Sequence, residues 1–134
     1  MKNLIRTVLA GLASAVFVQR KKAPLEMKIL MDDWVAQKGF CESDMTLEAV
    51  SEQLGVRRET LSSFCIRNYG MAFLSWRKEL RIAEAKRLMS ENKDLSFRII
   101  GEMVGIPDRS NFRRQFIDVT GMTPSEWKNW HAGL

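Results

Sequence analysis

Histidine occurs once, at His131, and cysteine twice, at Cys41 and Cys65, in a chain of 134 residues. A single histidine next to the C-terminus has no second histidine with which to form a metal pair or a catalytic base arrangement, so it reads as a surface histidine in a last helix. Two cysteines so far apart make neither a disulfide framework nor a CxxC metal site. Each lies in apolar, helix-like sequence and is expected to be a buried free thiol in a reducing cytoplasm. Proline is confined to Pro24, Pro107 and Pro124, and neither an alternating β-branched run nor an Asn-Gly or Asp-Gly turn pair occurs. Hairpins are thereby excluded, and the chain reads as all α. Also missing are a glycine-rich phosphate loop and paired carboxylates in a repeated motif. The expectation is a protein that is not an enzyme and holds no cofactor or metal.

What is there is globular in composition, with 46% hydrophobic and 28% charged residues. Such a chain folds, and its length allows one ordinary core or two small ones sharing a helix. Lysine and arginine number 21 against 16 acids, a net charge of +5. An excess of cations favours polyanionic partners, because phosphates neutralised by protein release condensed counterions. Basicity alone does not identify such a partner; a motif has to accompany it.

Hydrophobic spacing lays out the helices. Over residues 25–39 the apolar positions Leu25, Ile29 and Val35, with Leu30, Met31 and Trp34 beside them, predict a first amphipathic helix stopped by Gly39. Thr46 is a plausible N-cap for a short helix with Leu47, Val50 and Leu54 on one face, ending at Gly55. A second short helix from about Arg58 buries Leu61, Phe64 and Cys65 and ends at Tyr69-Gly70. Residues 72–91 carry the longest helical pattern, with Phe73, Trp76, Leu80 and Ala83 on one stripe and Ile82, Ala85 and Met89 on another. Ser96 caps the next helix, through Ile99, Ile100, Met103 and Val104 to Gly105. After the Pro107-Asp108 turn a helix buries Phe112 and Phe116 and ends at Gly121. Thr123-Pro124-Ser125-Glu126 then supplies a cap, a first-turn proline and a capping-box glutamate, followed by Trp127 and Trp130 as the apolar face of a last helix.

An internal repeat organises these pieces. Val50, Leu54-Gly55-Val56, Leu61 and Phe64 to Gly70-Met71 follow the same plan as Ile100, Val104-Gly105-Ile106, Phe112 and Phe116 to Gly121-Met122, with one extra residue in the second turn. Two helix-turn-helix copies joined by the long helix are the reading. In each, the glycine permits a sharp turn and the following Val or Ile plugs the angle between the helices. The outward residues of the second helix are then Arg57, Arg58, Glu59, Ser62, Ser63 and Arg67 in the first copy. In the second copy they are Arg109, Ser110, Asn111, Arg113 and Arg114, with Gln115 at the edge. These side chains suit phosphates and purine edges. From Arg109 to Arg114 there are three arginines and no acid, whereas a merely solvated face mixes Glu with Lys.

Arg81-Ile82-Ala83-Glu84-Ala85-Lys86 before Leu88-Met89, then Val104-Gly105-Ile106, Asp108-Arg109-Ser110-Asn111-Phe112, Phe116 and Thr120-Gly121-Met122-Thr123-Pro124-Ser125-Glu126-Trp127, resemble the signature of the AraC/XylS family of bacterial transcription regulators. The resemblance covers about residues 25–130. It implies a domain of about seven helices in which a linker helix holds two helix-turn-helix units on double-stranded DNA, with RNA polymerase as a further partner. It also implies base-reading positions at Glu59, Ser62 and Ser63, and at Arg109, Ser110, Asn111, Arg113 and Arg114. Ser63 departs from the arginine common there, and Ser51 and Gly101 stand where the family has a small alanine.

Residues 23–134 would form this domain and residues 1–22 an extension. Its apolar run, residues 8–18, falls short of the about 20 needed to span a bilayer. The basic cluster Arg20-Lys21-Lys22 after it opposes export. Two readings of residues 1–22 stand: a membrane-associated segment with its basic flank in the cytoplasm, or a helix that packs on a partner or on another copy. The protein itself is expected in the cytoplasm.

Overall fold

A computed structural model describes residues 22–133. Among them are seven α-helices, one 3-10 turn at Gly39–Cys41 and no strand. The helices are α1 (Pro24–Ala36), α2 (Leu47–Leu54), α3 (Arg58–Tyr69), α4 (Phe73–Glu91), α5 (Phe97–Met103), α6 (Arg109–Thr120) and α7 (Pro124–Ala132). They divide into two compact units: residues 22–39 with Asp44–Trp76, and Phe40–Ser43 with residues 77–133. The long helix α4 starts in the first and continues in the second. The apolar run of residues 8–18, and the membrane or partner role read for it, lie outside the described residues. Among the described residues no helix is long and apolar enough to cross a membrane.

The first unit is built on an aromatic cluster. Met27, Leu30, Met31 and Trp34 are all buried, at the i, i+3, i+4, i+7 spacing of a single helical face. This corrects the expected stripe: Leu25 and Ile29 are 67% and 40% exposed, and the residues beside them make the core. The reason is Trp34, whose ring lies 5.6 Å from Phe73 and 5.8 Å from Trp76 and so selects the face of α1 that turns inward. Tyr69 stacks on Trp76 at 4.1 Å with the rings 4° from parallel. Gly39 is not the helix stop either. The helix ends at Ala36 and Lys38 takes the positive φ of 57°, while a Cβ on Gly39 would stand 2.3 Å from Trp34 Nε1. The glycine makes room for the tryptophan. Cys65 is buried and free, and burial pushes its thiol up to about 11.

The second unit packs Ile82, Ala85, Leu88 and Met89 of α4 against Ile100, Val104, Ile106, Phe112, Phe116 and Trp127. On α4 the expected second stripe is therefore used. Of the first stripe, Phe73 and Trp76 are buried, Leu80 is half-buried and Ala83 is exposed. Past Trp76 the helix belongs to the second unit, which needs only the 82/85/89 face. On α7, Trp127 is buried edge-on to Phe116 at 6.2 Å, but Trp130 is 53% exposed, so one tryptophan serves the core where two were expected. His131 is a surface residue, stacked on Trp127 at 4.7 Å. Cys41 is in no disulfide and is half-buried, not fully buried, because it packs at the margin of this core. Phe40 sinks into the unit, where the buried Arg81 guanidinium donates to the Phe40 and Glu42 carbonyls, the latter at 2.8 Å. Those bonds satisfy a cation that burial would otherwise penalise.

Candidate nucleic-acid interface

Each unit presents one helix outward by the same local construction. Thr46 Oγ1 accepts from Ala49 N at 3.0 Å to start α2, and Ser96 Oγ accepts from Ile99 N at 3.2 Å to start α5. Nine residues after each cap, Gly55 and Gly105 sit at φ 67° and 87°, where an L side chain is strained. The next residue closes the turn: Val56 N donates to Ser51 O at 3.0 Å, and Ile106 N to Gly101 O at 2.8 Å. These are the bonds by which a left-handed residue ends a helix and redirects the chain. The positions before the turn differ in tolerance. Ser51 is buried with its hydroxyl donating to Glu48 O at 2.8 Å, whereas a Cβ on Gly101 would meet Ile106 O at 2.7 Å.

The outward helices then begin differently. In the second unit the extra turn residue, Pro107, is followed by Asp108, whose carboxylate accepts from Asn111 N at 2.7 Å and caps α6. In the first, Arg57 occupies the N-cap of α3 and makes no side-chain cap bond. Asp108→Ala should therefore cost about 1 kcal/mol of stability in urea denaturation, while Asp108→Asn, an equally good cap, should cost almost nothing. Equal losses in the two variants would mean that the carboxylate acts through its charge and not as a cap.

On α3 the residues Glu59, Ser62, Ser63 and Ile66 fall on one outward stripe at helical spacing. Glu59 and Ser63 are exposed, as are Arg57, Arg58 and Arg67, and Ser62 is half-buried. Arg58 Nη1 donates to Glu48 Oε1 at 3.1 Å, so this cation is shared with an acid of α2. Ile66, 59% exposed, was not among the expected site residues. Its signal was there: it is the apolar residue of α3 that falls outside the buried set Leu61, Phe64 and Cys65.

On α6 the residues Arg109, Ser110, Arg113 and Arg114 are exposed and Asn111 and Gln115 half-buried. Arg114 Nη2 donates to Asn111 Oδ1, which holds two purine-reading side chain types in one orientation. The first acid along α6 is Asp118, near its far end, 4.0 Å from Lys78 of α4. At the start of α7 the Thr123 backbone N–H and hydroxyl hold the Glu126 carboxyl below the usual carboxylate range, and Arg113 adds to the effect. In each unit the expected residues are exposed or half-buried on the outward helix. That of the second is denser in cations.

Comparison with known proteins agrees with this construction. Residues 50–129 match the helix-turn-helix domain family. The chain is 31% identical over 89 residues, 66% of its length, to the arabinose operon regulatory protein of Escherichia coli strain K12. That stretch is 30% of the relative, so the chain spans less than a third of the curated regulators it matches. Among solved structures it is similar to the C-terminal domain of AraT, a response regulator from Geobacillus stearothermophilus, with TM-score 0.66 and 29% identity over 72% of this chain and 78% of that one. It is also similar to the C-terminal domain of the two-component response regulator yesN from Fusobacterium nucleatum, with TM-score 0.68 and 26% identity over 76% of this chain and 97% of that one. With the paired turns, the all-helical fold and the match of residues 50–129, the chain belongs to the AraC/XylS helix-turn-helix family of DNA-binding transcription regulators.

Proposed function

We propose that this chain is a sequence-specific, double-stranded DNA-binding transcription regulator that lays α3 and α6 in successive major grooves. It acts in the cytoplasm, works through RNA polymerase and performs no chemistry of its own. The observation that carries the reading is the outward face of α6, where Arg109, Ser110, Asn111, Arg113 and Arg114 stand together without an acid. Arginine reads guanine through two parallel bonds, and asparagine reads adenine in the same way. On α3 the serines form shorter, weaker contacts, Ile66 offers an apolar surface suited to a thymine methyl, and Arg57, Arg58 and Arg67 meet phosphates. The second unit is accordingly the principal reader and the first mainly positions the domain.

Selection of bound duplexes from a random pool tests this. The expected motif has two half-elements whose centres lie about one helical turn, roughly 34 Å, apart. Arg114→Ala should flatten one position of it, at a cost of about 1 to 3 kcal/mol on the preferred base pair. Arg67→Ala should weaken all duplexes alike. If Ser62→Ala and Ser63→Ala erased the preference while Arg109→Ala and Arg114→Ala left it intact, the division of labour would be the reverse of that proposed. Equal affinity for selected and random duplexes would remove the claim to sequence reading altogether.

A further inference from the structure

Beside the reading face of α6, the second unit has a cleft of about 300 Å³ whose lining includes Phe97, Arg98, Arg109, Phe112, Arg113 and Ser125, three arginines and no acid among all its lining residues. The repeat makes its composition interpretable. The caps Thr46 and Ser96 align the units up to the turn at an offset of 50, and the helix starts Arg58 and Arg109 align them after it at 51. Arg98 then occupies the place of Glu48, Arg109 that of Arg58, and Arg113 that of Ser62. In the first unit the corresponding places hold an acid beside a cation, Glu48 and Arg58, 3.1 Å apart. The same two places in the second unit hold two arginines, and a third is added. Like charges lining one cleft repel, and an anion seated among them removes that repulsion while accepting charge-assisted hydrogen bonds. Arg98 has a partner in Glu102 at 3.0 Å, but both side chains are more than half exposed, and a pair of that kind holds its cation weakly.

We propose that this cleft seats a phosphodiester group of the DNA backbone, with Arg98 as a contact absent from the outward residues of α6 because it lies on α5, the helix before the turn. Arg98 and Arg113 donate to the non-bridging oxygens and the Ser125 hydroxyl adds a third donor. The inference rests on α6 being the reading helix, since Arg109 and Arg113 belong to both surfaces and tie the cleft to the duplex that α6 engages. Arg98 fixes register on the duplex and carries no sequence information.

The test uses the whole chain, a selected and a random duplex, and titrations over a range of potassium chloride. Arg98→Ala should lower the slope of log affinity against log salt by about 0.9, weaken both duplexes by the same factor and leave the selected motif unchanged. Arg98→Glu, which copies the first unit, should weaken both further. Glu102→Gln, which frees Arg98, should tighten both. Thermal melting of each variant should match the parent, because the exchanged side chains are exposed. Unchanged affinity and slope in both Arg98 variants, with Arg114→Ala still altering the motif, would overturn the cleft and leave the DNA reading standing. A change in base preference at one position in Arg98→Ala would overturn it too, by making Arg98 a base contact. A parent chain that binds no duplex at low salt would instead remove the DNA reading on which the inference rests.

Discussion

Trp76→Ala should destabilise the protein by about 3 to 5 kcal/mol, the range for emptying a buried aromatic site. Trp76 is 8% exposed, lies flat on Tyr69 and within ring-contact distance of Trp34 and Phe73, so truncation removes one member of a cluster that holds α1, α3 and the start of α4 in the first unit. At about 4 °C or more per kcal/mol for a domain near this size, the melting temperature should fall by at least roughly 10 °C. Leu74→Ala, two residues away but 54% exposed, should stay within about 0.5 kcal/mol of the parent. The single tyrosine supplies a local readout. Burial, with Cys65 and Asp32 adding to it, pushes the Tyr69 hydroxyl up to about 12. A pKa raised in the folded state favours folding fully below the unfolded value, about 10, and that contribution declines as pH rises from there towards 12. In Trp76→Ala the phenolate should therefore appear at lower pH. A variant that melts like the parent, keeps the tyrosine titration and yet loses duplex binding would mean that this aromatic face meets the ligand and not the core.

Affinity for any duplex should fall about a thousandfold between 50 and 200 mM salt, if about six phosphates are neutralised at about 0.9 log unit each. Arg57, Arg58, Arg67 and Arg113 are the exposed cations placed to do this. The ion pair of Arg58 with Glu48 does not withhold it, because both partners are exposed and such pairs are worth at most about 1 kcal/mol in water. Fluorescence anisotropy at several salt concentrations gives the slope directly. A flat titration would show that phosphate contacts are not what holds the duplex and would leave the basic surface without its proposed partner.

Much of this architecture was legible in the sequence where chemistry is local. Thr46, Ser96 and the Thr123 to Glu126 capping box act within one helical turn, and all are found where they were expected. Asp108, expected in a turn, caps α6 as well, an equally local role that the neighbouring proline obscured. The repeat was legible because each turn needs its own glycine and plug residue. Less legible was which apolar residue faces inward when two neighbours compete. On α1 both Leu25/Ile29 and Leu30/Trp34 satisfy a helical period, and on α7 Trp127 and Trp130 do too, although only Trp127 is buried.

The sequence by itself determined the all-helical class, the two helix-turn-helix copies and the outward chemistry of α3 and α6, because period, caps and left-handed glycines are properties of short stretches of chain. Only the tertiary structure decided the rest. Trp34 chose the inner face of α1 by meeting Phe73 and Trp76, and Gly39 had to leave room for that ring. Arg81, read as part of a helix motif, became a buried tie to the carbonyls of Phe40 and Glu42. Arg98, silent as an exposed residue of a short helix, came beside Arg109 and Arg113 in one cleft. The ring contacts of Trp34, the Arg81 tie and the arginine cleft each depend on residues more than ten positions apart meeting in space, and Gly39, though only five positions from Trp34, is constrained only once that ring is seated.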